Sequence, residues 1–105
     1  MTDPDQDRLA ERVREALAGQ HVREVPMFGG MSFMVDGSIA VAARRGGELL
    51  VRVDPGRHDE LLHRPGAVTA RMGQRDMGQG WLQVGRDGTE SDEALRAWVD
   101  VALSR

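Results

Sequence analysis

Two adjacent glycines, Gly29 and Gly30, interrupt the apolar stretch VPMFGGMSFMVDG at residues 25–37. Glycine pairs can cradle phosphate, but such fingerprints place the glycines after a strand and ahead of a helix, whose first N–H groups face the anion. Here a strand pattern follows the pair, so it is read as a backbone device that permits a bend, a bulge or a close approach. His58 and His63, in HDELLH, lie five positions apart. Zinc ligands on one helix face lie four apart, so these two are read as solvated helix residues. Asp59 and Glu60 are adjacent and diverge on a helix, and Ser32, Ser38, Ser91 and Ser104 lack the setting of a nucleophile elbow. Arg71, Arg75 and Arg86 gather around the loop GQRDMGQG at 73–80, with Trp81 beside them. Arginine with an aromatic ring can hold a phosphate or a nucleic-acid strand. The preferred reading packs Trp81 in the core and leaves the arginines to balance the acidic helices.

Composition removes further chemistries. The chain has 105 residues and no Cys, which excludes disulfides, thiolate metal sites and cysteine nucleophiles. All 14 basic residues are Arg. Without Lys there is no P-loop lysine and no Schiff base. Net charge is −3, but residues 44–86 carry eight Arg against five acids while both ends are acidic. That middle bias is modest for a nucleic-acid binder. The acidic start MTDPDQD is unlike a signal peptide, and no apolar run approaches the ~18–20 residues that span a bilayer. A cytoplasmic location with no membrane partner, no cofactor and no metal is the expectation.

The elements that must position these residues are legible from periodicity. Asp3 and Pro4 open a helix over 4–18, with Leu9, Val13, Ala16 and Leu17 on one stripe. From Met31 the period falls to two. Asp36-Gly37 marks a hairpin, and Arg45-Gly46-Gly47 marks the next turn of a three-stranded antiparallel meander. Asp54-Pro55 opens a short helix through Leu61-Leu62 that Pro65-Gly66 closes. Weaker strands are predicted at Val68–Met72 and Trp81–Val84, joined by a flexible loop or irregular hairpin. A helix capped by Thr89 or Ser91 then covers 92–103. The predicted fold is one α+β domain over 1–105, a two-layer sandwich of order α-β-β-β-α-β-β-α with the helices on one face of an antiparallel sheet.

Strand alternation assigns Met31, Phe33, Val35, Ile39, Val41, Leu49, Val51 and Val53 to the helix-covered face. The other face receives Ser32, Met34, Ala40, Ala42, Leu50 and Arg52. That set is too apolar to be left to water. Met34, Ala40, Ala42, Leu50 and Arg52 are therefore candidate interface residues, and a homodimer is the expected way to bury them.

Taken in order, Met27-Phe28-Gly29-Gly30, Phe33, Asp36-Gly37, Leu50-Val51-Arg52-Val53, Arg64-Pro65-Gly66-Ala67, Gly80-Trp81 and Ala97-Trp98-Val99 resemble the N-terminal domain of the TfoX/Sxy family of bacterial competence regulators. The resemblance runs over roughly residues 8–103 and departs from the family pattern near Arg75–Trp81, where a Pro is expected in place of Asp76. It implies a secretion-chaperone-like fold with the same element order. Longer members promote transcription of DNA-uptake genes beside a cyclic-AMP-receptor-type activator. They also carry a C-terminal helical domain, which a chain ending at Arg105 is expected to lack. The resemblance brings no catalytic or binding residues with it. The leading expectation is a non-enzymatic regulatory or interaction module, with a transcription co-regulator as its sharpest form. The alternatives are a nucleic-acid accessory protein using Arg71, Arg75 and Arg86, and a small-ligand binder or enzyme using the 73–81 loop.

Overall fold

Asp3 caps the first helix, α1 (Pro4–Ala16), as the sequence predicts. Its Oδ1 accepts the N–H groups of Asp5 and Gln6, each at 3.1 Å. Pro4 occupies the first turn, where a missing N–H costs nothing. The second carboxylate oxygen of Asp3 accepts the N–H of Gly46 at 2.9 Å, which ties the helix start to the Arg45–Gly47 turn. The computed structural model describes residues 3–27 and 29–104, so the motif residue Phe28 lies outside the described residues.

Among the described residues eight strands follow, where alternation predicted five. They are β1 (Val22–Met27), β2 (Gly30–Val35), β3 (Ser38–Arg44), β4 (Leu49–Arg52), β5 (Ala67–Thr69), β6 (Arg71–Met72), β7 (Arg75–Asp76) and β8 (Trp81–Val84). Helix α2 (His58–Leu61) sits between β4 and β5, and α3 (Asp92–Leu103) closes the chain order. Six strands make one sheet in the order β1-β2-β3-β4-β8-β5, with every pair antiparallel. β6 and β7 form a separate small hairpin. Between α1 and α3 the predicted α+β order stands, with β1 and the β6–β7 hairpin added. Ser91, rather than Thr89, caps α3 by accepting the N–H of Ala94 at 3.0 Å.

All three helices pack on one face, called the front here. Leu9, Ala10 and Val13 from α1, Leu61 from α2, and Leu95, Trp98, Val99, Val101 and Ala102 from α3 join Phe33, Val41, Leu49, Val51, Leu82 and Val84 in one core. Asp36 and Gly37 turn the β2–β3 hairpin with φ of 52° and 86°, which is the geometry behind that sequence signal.

One correction concerns side-chain facing. The β2–β3 register pairs Phe33 with Val41 but Met34 with Ile39, leaving Ala40 as an extra residue. Such a bulge turns two consecutive side chains the same way. Ala40 therefore joins the front core, and Ile39 falls beside Met34 on the rear face. Strict alternation assigns both the other way.

β1 is an edge strand, mostly exposed on both faces. The His21 carbonyl accepts the Asp36 N–H at 3.3 Å, so odd-numbered residues of β1 bond to β2 and even-numbered ones face outward. Pro26 is even, and its missing N–H falls on the free edge. That placement discourages another strand from pairing there. On the front, Arg14 of α1 grips Glu24 with two donors, Nε at 2.7 Å and Nη2 at 2.8 Å.

These contacts give the fold an acid limit. The Arg14 hydrogen bond holds the Glu24 carboxyl below its ordinary value. The N–H groups of Gly46 and Gln6 do the same for Asp3. A carboxyl depressed in the folded state contributes stability above its unfolded pKa and loses it as pH falls through the folded value. Thermal stability is expected to hold from neutral pH to about 5 and to fall below about 4. Circular-dichroism melts across that range should show a shallower acid loss in Glu24→Gln than in the wild type.

Candidate functional site

The rear face is not one open surface. After β5 the chain leaves the sheet, forms the β6–β7 hairpin and lays it across the rear of β3, β4 and β8. Ala70 accepts the Met77 N–H at 2.9 Å at the hairpin base. Ala42, Leu50 and Ala70 are fully buried there, with Met77 and Trp81 packed against them. This is a second, smaller core. Arg52 covers it from outside, its guanidinium 5.7 Å from the centre of the Trp81 ring. Ala42 and Leu50, predicted to meet a partner, are thus buried within the chain. Ala40 lies in the front core and Arg52 is engaged on Trp81.

Among the described residues the hairpin does not reach the outer β1–β2 corner of the rear face, although Ser32, between Val25 and Ala42, is fully buried. By register Arg23, Val25, Met34 and Ile39 share that surface. Val25, Met34 and Ile39 are half-buried with no helix above them. A hollow of about 330 Å³ at this end is lined by His21, Val22, Arg23, Met34, Asp36 and Gly37. Arg23 forms no ion pair among the described residues.

At the opposite end of the strands the hairpin tip borders an open cleft of about 400 Å³. Gly29, Arg44, Arg45, Glu48, Met72, Gly73 and Gln83 line it. Arg44 Nη1 donates to the Arg71 carbonyl at 3.0 Å and to Gln83 Oε1 at 3.3 Å. Gln83 Nε2 in turn donates to Glu48 Oε2. Sequence reasoning missed Arg44, Glu48 and Gln83. Their signal was parity, because all three alternate with front-core residues of β3, β4 and β8.

The predicted arginine cluster divides. Arg71 and Arg75 share the hairpin, and Arg71 Nε pairs with Asp76 Oδ1 at 3.2 Å across it. Arg86 lies on the other side of the molecule, 3.6 Å from Asp5 of α1, in a separate hollow with Arg8, Arg12, Asp87 and Glu90. Equal numbers of cations and acids line that hollow, so it offers an anion no net attraction. Trp81 belongs to the rear core rather than to an aromatic platform.

The glycine pair is explained by its backbone. Gly29 has φ of 74°, in the left-handed region. Gly30 opens β2 so close to β3 that a Cβ would overlap the Ala43 carbonyl. Gly80 opens β8, where its carbonyl accepts the Val53 N–H at 2.8 Å. The histidines need a correction. His63 is exposed, but His58 is only 7 % exposed and neither ring nitrogen has a hydrogen bond. Asp59 Oδ1 lies 3.5 Å from His58 Nδ1, without hydrogen-bond geometry. His58 packs as a buried ring because the Asp54-Pro55 turn sets it facing inward at the start of α2. Among the described residues no three His, Asp or Glu side chains converge to hold a metal, and no helix is long and apolar enough to cross a membrane.

The family model for the TfoX N-terminal domain matches residues 15–105, nearly the whole chain. The chain belongs to the TfoX N-terminal domain family. Comparison with curated proteins and comparison with solved structures each found no significant match. In this TfoX N-terminal domain, Gly29, Gly30 and Gly80 fall at strand junctions and Trp81 packs in the rear core.

Proposed function

We propose that this TfoX N-terminal domain is a non-catalytic regulatory module that works by binding other protein surfaces, a second copy of itself among them. The reading extends to transcriptional co-regulation beside an activator, as the sequence resemblance implies. One observation carries it: among the described residues the hairpin covers the Ala42–Leu50 part of the rear face and leaves Val25 and Met34 half-buried, with neither helix nor hairpin above them. The bare patch is self-complementary. Arg23 and Asp36 flank Met34 around one hollow, so a two-fold axis can set each Arg23 against the Asp36 of the other copy. An edge-to-edge dimer has less support, since Pro26 blunts the free side of β1. Nucleic-acid binding also has less support, because Arg86 is remote from Arg71 and Arg75 and Trp81 is packed beneath Arg52.

Sedimentation velocity over a dilution series tests this reading. The wild type is expected to move from monomer toward dimer as concentration rises. Met34→Glu, a change at a half-exposed site, is expected to stay monomeric with an unchanged melting temperature. A wild type that remains monomeric throughout, or a variant that associates equally well, would remove this surface from the account.

A further inference from the structure

The cleft beside the hairpin tip also has the chemistry of a binding site. We propose that it takes an extended acidic peptide segment of a partner protein, with a carboxylate on Arg44 and Arg45 and apolar flanks against Met27 and Met72. This inference rests on the reading of the chain as a protein-binding module. The cleft volume, about 400 Å³, falls in the range of roughly 300–1,000 Å³ common for ligand sites.

Arg44 is half-buried, and among the described residues its guanidinium donates only to two neutral oxygens, both through Nη1. Its Nε and Nη2 donors have no hydrogen bond among the described residues. They form the fork that accepts a carboxylate in two parallel bonds. Arg45 adjoins it, exposed and without an ion pair among the described residues. Arg71 and Arg75 on the hairpin add to the field, against Glu48 and Asp76, leaving four cations to two anions around the cleft. This is where the basic bias of residues 44–86 becomes local.

The apolar part is equally placed. Met27 and Met72 are each 37 % exposed, two of the few large apolar side chains so open to water. Met72 lines the cleft, and Met27 shares its rear-face row with Gly30 and Arg44. Gly30, between them in the register, adds no side chain to that row. Methionine adapts its shape to different apolar groups, which suits a peptide-binding rim. Glu48, held by Gln83, keeps a carboxylate oxygen able to accept a peptide N–H. Among the described residues no aromatic ring lines the cleft for a base to stack on. Peptide is therefore favoured over nucleic acid.

The test is fluorescence anisotropy with three labelled probes: Leu-Glu-Leu-Glu-Leu, its Leu-Lys-Leu-Lys-Leu counterpart, and an oligo-dT strand. The acidic peptide is expected to bind saturably and more weakly as salt rises, while the basic peptide does not bind. Affinity should fall at least about tenfold in Arg44→Gln and in Arg45→Glu. Arg45 forms no ion pair or side-chain hydrogen bond among the described residues, so lost binding with an unchanged melting temperature in that variant separates binding from fold. Three results would each overturn the proposal: no binding of the acidic peptide, equal binding by Arg45→Glu, or displacement of the peptide by tighter-binding oligo-dT. Self-association uses the opposite end of the face and is read separately by sedimentation, so one reading can fail while the other stands.

Discussion

Leu50→Ala is expected to lower the free energy of unfolding by about 2–4 kcal/mol. Leu50 is fully buried on the rear of β4, in contact with Ala42 and Ala70 and roofed by Met77 and Trp81. Ala42 and Ala70 are small and fixed by their backbone, so the space left by the lost side chain closes only as far as Met77 can shift into it. A leucine on an open sheet face would cost within about 0.5 kcal/mol on the same change. Urea denaturation therefore separates a second core from a bare surface. The hairpin should loosen too, and trypsin should cut faster after Arg71 and Arg75 in the variant. Wild-type stability in Leu50→Ala would mean that the hairpin does not lie on the sheet.

Gly30→Ala should be comparably damaging for the opposite reason. Overpacking commonly costs about 1–3 kcal/mol, and more where the obstruction cannot move. The obstruction here is the Ala43 carbonyl and the backbone beside Arg44, part of a central strand. Gly29→Ala meets open space and has only its positive φ to resist it. That change should cost about 1–2 kcal/mol. The order of the two variants in a urea melt is the informative result. If Gly30→Ala matched the wild type while some anion lost affinity, the pair would be a ligand cradle after all.

How far the sequence could be read follows from the strength of each local signal. α3 was legible at both ends, because Ser91 supplies a cap oxygen and Leu95, Trp98, Val99 and Ala102 recur at helical spacing. The β2–β3 turn was legible because Asp-Gly is one of the few pairs that accept two positive φ angles. β1 was not, because an edge strand exposed on both faces has no alternation to show, and Val-Arg-Glu-Val-Pro-Met carries a proline besides. The bulge at Ala40 was hidden by a run, Ile-Ala-Val-Ala-Ala, that is apolar at every position. Without a polar residue, parity has no marker. The two-residue strands of the hairpin are too short for any period. Their effect was large, since they convert Ala42 and Leu50 from expected interface to core. The cleft joins Gly29, Arg44, Glu48, Met72 and Gln83, residues that only the register of five strands brings together.

The central claim is that the rear face is divided, with the Ala42–Leu50 part sealed by the chain's own hairpin and the β1–β2 corner left for a second copy. Methionine oxidation by dilute peroxide, read by mass spectrometry, tests it with probes already in place. Met77 packs into the rear core from the hairpin base, Met34 lies on the β1–β2 corner, and Met72 is the more exposed residue near the hairpin tip. Met72 is predicted to oxidise quickly and Met77 slowly at every protein concentration, while Met34 oxidises more slowly as concentration rises. A Met34 rate independent of concentration, with Met77 as reactive as Met72, would contradict both halves of the claim.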